Sequence, residues 1–240
     1  IDFIIDQYTA EAGVRKFREK LFEIFREVNV RNIMDPDIWA FPVTVTKAII
    51  EEDLFATKPK TQNIQCARKP TIGVSTGMYA SSFGIGGITL IQAYLIPSTS
   101  PLNLELTGHQ GNIMKESMSV SKTIAWSIIS TDKKQEIQEE WKNHGFSGLH
   151  VHCPDGGTPK DGPSAGIAIT IAMLSVLLRI PVINKVAMTG EIDLYGAIHK
   201  IGGLSAKVAG AKQAHIDLVL VPKENKHDIE LIVSKDPDIF

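Results

Sequence analysis

Along the first thirty positions apolar side chains return at helical spacing. Val14, Phe17, Leu21, Ile24, Phe25 and Val28 share one face, with Arg and Glu on the other. This predicts a helix over 1–30 with Thr9 as a candidate N-cap, broken at Asp35-Pro36. Val43-Thr-Val45 predicts a short strand, and 47–54 a short amphipathic helix. Residues 57–69 are polar and aperiodic and read as a linker. From about residue 70 the rhythm changes. Strands are predicted at 71–74 and 88–96, joined by a Gly- and Ser-rich connection, then at 104–108, 149–152, 186–189, 195–199 and 218–221. Helices are predicted at 115–130 and 205–215, with 141–148 a connection. Ile167 to Leu178 is apolar throughout, as suits a buried helix, and Ile180-Pro181 ends it. The alternation predicts an α/β domain with a mixed, α+β-like sheet, preceded by a small all-α subdomain.

Composition narrows the function classes. The chain has 240 residues, room for one large domain or a domain plus a small one. Its net charge is −2, without the clustered basic excess of a nucleic-acid footprint. The apolar runs are too short to span a bilayer, so no membrane partner is expected. Two cysteines, Cys66 and Cys153, make no disulfide framework. The expected compartment is therefore reducing: cytoplasmic, or the mitochondrial matrix in a eukaryote. Position 1 is not Met, no signal pattern is present, and the chain opens inside a helical pattern. A fragment of a longer protein is expected. No Gly-x-x-x-x-Gly-Lys-Ser/Thr occurs, so these residues supply no phosphate-cradling loop and should not hydrolyse ATP.

The stretch 159–166, Pro-Lys-Asp-Gly-Pro-Ser-Ala-Gly, concentrates the candidate chemistry. Pro163 suits the first turn of a helix, and Ser164 follows it at the head of the apolar run. A hydroxyl there faces free backbone N–H groups and the positive end of the helix dipole, where an oxyanion would be stabilised. Ser164 can be read as a helix cap or as a nucleophile. Lys207 lies behind Gly202-Gly203, at the start of another predicted helix. A lysine takes a proton from serine only when neutral, and burial together with a helix N-terminus both lower its pKa. Taken alone, Lys207 reads as an exposed helix lysine reaching water.

Three motifs in order carry a resemblance: PKDGPSAG at 159–166, Met188-Thr-Gly-Glu-Ile192, and Ile201-Gly-Gly-Leu-Ser-Ala-Lys207. Together they resemble the proteolytic domain of the ATP-dependent Lon proteases. The stretch 108–117 is similar to that family's TG-x-x-G-x-x-M-x-ES signature. The resemblance implies that Ser164 is the nucleophile and Lys207, 43 positions later, its base. It implies supporting roles for Thr189, which would orient the amine, for Asp161, which would shape the loop, and for His152 of the His-x-His preceding it. Residues 1–56 resemble the helical subdomain that closes an AAA+ ATPase module, on Tyr8-Thr9 and Glu11-Ala-Gly-Val-Arg15. Arg15 would then sense nucleotide in the full-length protein; within this chain it reads as an ion-pair partner of Glu11 or Glu19.

The family further implies a serine endopeptidase, ATP and Mg²⁺ in the full-length protein, none in this fragment, a homohexamer, and unfolded or damaged protein substrates. The expected layout is 1–56 helical subdomain, 57–69 linker, 70–240 proteolytic domain. The family's Gly-Leu-Ala-Trp stretch is absent near 73–87, although Gly86-Gly87 is kept. A non-proteolytic scaffold of the same fold and a self-processing protease with the same dyad are the alternative readings.

Three other patterns are read as decoys. Gly73-Val-Ser75-Thr-Gly77 fits G-x-S-x-G but is not followed by a helix. Ser119-Val-Ser-Lys122 fits S-x-x-K but sits mid-helix without downstream partners. His150, His152 and Cys153 suggest zinc, but Cys153 points to the opposite face and no second ligand pair follows. No metal is expected.

Overall fold

The computed structural model describes residues 1–9, 13–60, 65–82, 84–154, 160–237 and 239. Glu11, residues 61–64 of the expected linker, and Pro159 lie outside them. The chain divides into two compact units, Ile1–Asn63 and Ile64–Phe240. Among the described residues no helix is long and apolar enough to cross a membrane.

The first unit contains only helical elements among its described residues. α1 (Asp2–Ile4) runs into a π-helical turn, Ile5–Thr9; α2 (Arg15–Met34) follows, and a second π turn spans Ile49–Leu54. Ile4, Tyr8, Ile24, Val28, Ile50, Leu54 and Phe55 form its core, with Tyr8 edge-on to Phe55 at 5.0 Å. Phe17 and Leu21 pack against this core, so the buried stripe is narrower than the sequence pattern. Val14 and Phe25 stay outside it, 76% and 63% exposed. Thr9 caps nothing, because its hydroxyl bonds back to the Ile5 carbonyl at 3.0 Å. Residues 43–45 form no strand; nothing pairs with them, and an unpaired extended segment has no ladder to hold it.

The second unit is a six-stranded mixed sheet in the order β3-β4-β2-β1-β5-β8. β1 (Val74–Ala80) and β2 (Gly86–Pro97) are antiparallel, as are β2 and β4 (Ser147–His152). β3 (Leu104–Thr107) runs parallel to β4, and β5 (Val186–Met188) parallel to both β1 and β8 (Leu218–Leu220). α3 (Asn112–Ser127) and α5 (Gly166–Leu178) share the main core with Ile91, Ala93, Leu149 and Val151. α6 (Leu204–Gln213) covers the other face, through Ala211 on Met78 and Ile88. The alternation of side chains along β1 and β2 divides them between these two helical layers.

Three expectations need correction here. The predicted 71–74 strand is displaced. Thr71 makes a single bridge to Val182, and the true strand occupies part of the expected connection. β1 reads poorly because its polar residues are buried rather than alternating outward. Ser75, 1% exposed, satisfies its hydroxyl on the Ala168 carbonyl at 2.6 Å. Of the predicted 195–199 strand, only 198–199 is strand. β7 (Ile198–His199) pairs only with β6 (Glu191–Ile192), and Asp193 Oδ1 accepts the N–H groups of Tyr195 and Ala197 that would otherwise extend a strand. Two helices, α4 (Thr131–His144) and α7 (Lys226–Lys235), had no sequence prediction. Each fully buries a single residue, Ile137 and Ile232, with Trp141 and Ile229 packed partly buried beside them.

Candidate active site

The parallel strands β1, β5 and β8 end at the same edge of the sheet, and α5 and α6 begin there from opposite faces. That edge is where open α/β sheets place their clefts. Two helix N-termini, each with backbone N–H groups lacking intrahelical acceptors, therefore meet across one crevice.

Ser164 sits in a 3₁₀ turn, Pro163–Ala165, immediately before α5, with Pro163 at the position that needs no N–H donor. Its hydroxyl caps neither the turn nor the helix. The main chain here is held from β5 and β6. The Ser164 carbonyl accepts Gly190 N–H at 2.8 Å and the Thr189 hydroxyl at 2.9 Å. Lys207 comes from the other face, in the first turns of α6, which Gly203 opens in the left-handed region at φ 68°. Its backbone N–H bonds to the Gly203 carbonyl at 3.1 Å. The Lys207 Nζ lies 2.9 Å from Ser164 Oγ and 3.1 Å from Thr189 Oγ1. Since the Thr189 hydroxyl proton is committed to the Ser164 carbonyl, Thr189 presents only lone pairs to the amine.

Lys207 is 3% exposed and Thr189 1%. Burial pulls the Lys207 pKa down from 10.5 to about 8. The helix carrying it lies unusually close to the sheet. A Cβ at Gly210 would come within 2.3 Å of the Gly87 nitrogen, and one at Gly86 within 1.8 Å of the Ala206 carbonyl oxygen. Only glycine at both positions lets α6 come low enough to bury the amine. The sequence offers Gly86 only as a kept family glycine and does not single out Gly210, because the partner of each is backbone about 120 residues away in the chain, a pairing visible only once folded.

The other expected site residues fall in different places. Asp161 lines the cleft, but its carboxylate faces α3 rather than the dyad. Oδ1 accepts Met114 N–H and Gly162 N–H, both at 2.9 Å. It thus serves as the N-cap that α3 lacks, since Gly111 occupies the cap position. His152 is not brought to the dyad. Its Nδ1 lies 2.8 Å from Thr107 Oγ1, which His150 Nε2 also meets at 2.9 Å, and neither ring lines the cleft. Arg15, in the first unit, is a surface residue paired with Glu19 at 3.2 Å. Ser75 is buried in β1, and Ser119 bonds its own helix at the Lys115 carbonyl, so neither decoy has a base. Cys153 is fully buried, its thiol raised to about 11 by burial. Among the described residues no group of His, Cys, Asp or Glu could hold a metal ion.

The resulting cleft is open and about 460 Å³ in volume, walled by Tyr79, Ser81, Ser82, Asp161, Pro163, Glu191 and the 200–203 turn around Ser164 and Lys207. A polypeptide segment fits such an open, mixed polar wall better than a small apolar ligand does.

A profile of the family described as Lon protease (S16) C-terminal proteolytic domain matches residues 44–236. The chain is 34% identical, over its whole length, to a Lon protease homolog of Acanthamoeba polyphaga mimivirus. It is 40% identical over 97% of its length to a Lon protease of Halothermothrix orenii, and 36% over 95% to one of Fervidobacterium nodosum. It spans 28%, 28% and 26% of those three relatives.

Proposed function

Since the chain belongs to the Lon protease family, we propose that it is a serine endopeptidase whose nucleophile is Ser164 and whose base is Lys207. The observation that carries this is the 2.9 Å approach of a buried lysine amine to a serine oxygen at a helix N-terminus. Neutral Lys207 donates one N–H to Thr189, which turns its lone pair toward Ser164. The lone pair takes the hydroxyl proton as Oγ attacks the peptide carbonyl carbon. The tetrahedral oxyanion is held by the backbone N–H groups of Ser164 and Ala165, since Pro163 has none and Gly162 N–H is taken by Asp161 Oδ1. The Lys207 ammonium then returns the proton to the leaving amine, and the C–N bond breaks. Water, deprotonated by the same amine, releases the acyl group from Ser164.

For the whole protein we propose a homohexameric, ATP-dependent protease of unfolded or damaged proteins. ATP and Mg²⁺ belong to parts outside this chain. The residues present do not fit a nucleotide site: no phosphate-cradling sequence occurs, and Arg15 is engaged by Glu19 at the surface. Accordingly no step above runs through ATP. A scaffold or purely self-processing role has no comparable observation behind it.

The test is hydrolysis of an unstructured fluorogenic peptide at pH 8 by the wild type, Ser164→Ala and Lys207→Ala. Both substitutions are expected to lower kcat by about 10³-fold or more, as removal of a nucleophile or its base does. Turnover surviving in Ser164→Ala would overturn the assignment.

A further inference from the structure

Lys207 depends on how α6 begins, and the turn before α6 is gripped from behind. Asn225 is fully buried. Its Oδ1 accepts Ile201 N–H at 3.1 Å, and its Nδ2 donates to the Ile201 carbonyl at 3.0 Å. Both main-chain polar groups of one residue are thus held by one side chain, as a neighbouring strand would hold them. The same Nδ2 also donates to Asp228 Oδ2 at 2.6 Å, and Lys200 Nζ lies 3.1 Å from that oxygen. Glu224 Oε2 accepts Lys200 N–H at 2.8 Å. From Ile201 the chain passes to Gly203, whose carbonyl receives the Lys207 N–H.

A hydrophobe at this position would leave the N–H and C=O of Ile201 unpaired, so the amide is needed for the two hydrogen bonds it makes and for the backbone geometry they fix. The Ile201 side chain belongs to an apolar cluster with Leu204, Val208 and Ile232. We propose that Asn225 is a positioning residue for catalysis: by clamping Ile201 it sets the 200–203 turn, and through that turn the first turn of α6 and the place of the Lys207 amine. The proposal rests on the reading of Ser164 and Lys207 as nucleophile and base. Glu224 and Asp228 support the clamp from the exposed side.

The clamp also controls the water around the amine. The titratable groups sharing the cleft with Lys207 are Asp161, Glu191, Lys200 and Tyr79. The described hydrogen bonds of Nζ go to Ser164 and Thr189 and to none of these. Burial is what lowers the amine's pKa, so loosening the turn raises it toward the ordinary lysine value.

The test uses the full chain and two readouts. One is the titration of Lys207, followed by the ¹³Cε resonance of labelled lysine and assigned by its loss in Lys207→Met. The other is the pH–rate profile of peptide hydrolysis. Asn225→Ala is expected to raise the Lys207 pKa by about half a unit or more. It should shift the rising limb of the profile by the same amount and lower kcat by about 10- to 100-fold, with KM little changed. Ile232→Ala, a cavity in the same cluster, should lower the melting temperature without moving either titration. If Asn225→Ala does not fold, the exposed Glu224→Ala decides, with a smaller shift in the same direction. A Lys207 titration unmoved in the folded variant, or moved equally by Ile232→Ala, overturns the proposal. The NMR titration needs no turnover, so this failure is distinct from failure of the dyad itself, which would appear as activity persisting in Ser164→Ala.

Discussion

At the scale of single residues, the site turns on the cost of burying an amine. Among the described residues no carboxylate meets the Lys207 Nζ, and its pKa of about 8 reflects desolvation. Catalysis needs the neutral form, so kcat/KM for peptide hydrolysis should rise with pH through about 8 and level off above it. A flat profile between pH 6 and 9 would remove Lys207 as the base. The same shift carries a stability consequence. Below about pH 8 the folded protein must hold a buried ammonium that the unfolded chain keeps in water, and above about 10.5 neither state is charged. The penalty is thus full at low pH, and stability attributable to Lys207 rises between those values. At one pKa unit per 1.36 kcal/mol the penalty is about 3 kcal/mol. Lys207→Met should therefore abolish hydrolysis yet stabilise the second unit at pH 7, by about 1–2 kcal/mol once its two hydrogen bonds are deducted. Thermal unfolding at pH 7 checks this, and a fall in melting temperature would count against a charged, buried Lys207. Ser164, Lys207, Thr189 and Asp161 could be singled out as candidates in the sequence because their motifs are short and local. His152, which the family resemblance sets near the serine, has its ring on Thr107 of the adjacent strand, a neighbour the motif alone does not show.

At the scale of elements, the dyad depends on how two helices start and how closely one packs. α3 has glycine at its cap position and borrows the Asp161 carboxylate from the loop bearing Ser164. Asp161→Ala should cost about 1 kcal/mol and lower the melting temperature, while Asp161→Asn keeps an acceptor oxygen and should recover most of it. Equal losses in both variants would mean that the carboxylate acts otherwise than as a cap. On the other face, Gly210→Ala forces a methyl group to within 2.3 Å of the Gly87 nitrogen. Overpacking of this kind costs about 1–3 kcal/mol. It should lift α6, raise the Lys207 pKa and depress kcat more than KM in steady-state kinetics. Helices with continuous apolar runs, such as α5, were legible from sequence. α4 and α7 were not predicted, although Ile137 and Trp141 in one and Ile229 and Ile232 in the other recur at helical spacing; each helix fully buries only one of the pair.

At the scale of the whole molecule, every described residue that positions the dyad lies in the second unit. Residues 64–240 on their own should therefore retain the wild-type Lys207 titration; a pKa returned to the ordinary lysine range would show that the first unit is needed to form the site. The sequence by itself determined which residues are candidates for the reacting groups, the alternation that makes an α/β fold, and the apolar helix behind Ser164. These depend on local spacing and on motifs a few residues long. Only the tertiary structure decided that Lys207 is buried, since 43 residues separate it from Ser164 and the two arrive from opposite faces of a sheet. It likewise decided that 74–80 is a central strand, because Ser75 and Thr76 look solvent-facing until Ala168 and the covering helices enclose them. Burial and hydrogen-bond satisfaction are properties of neighbours brought together by the fold, and the order of residues along the chain does not contain them.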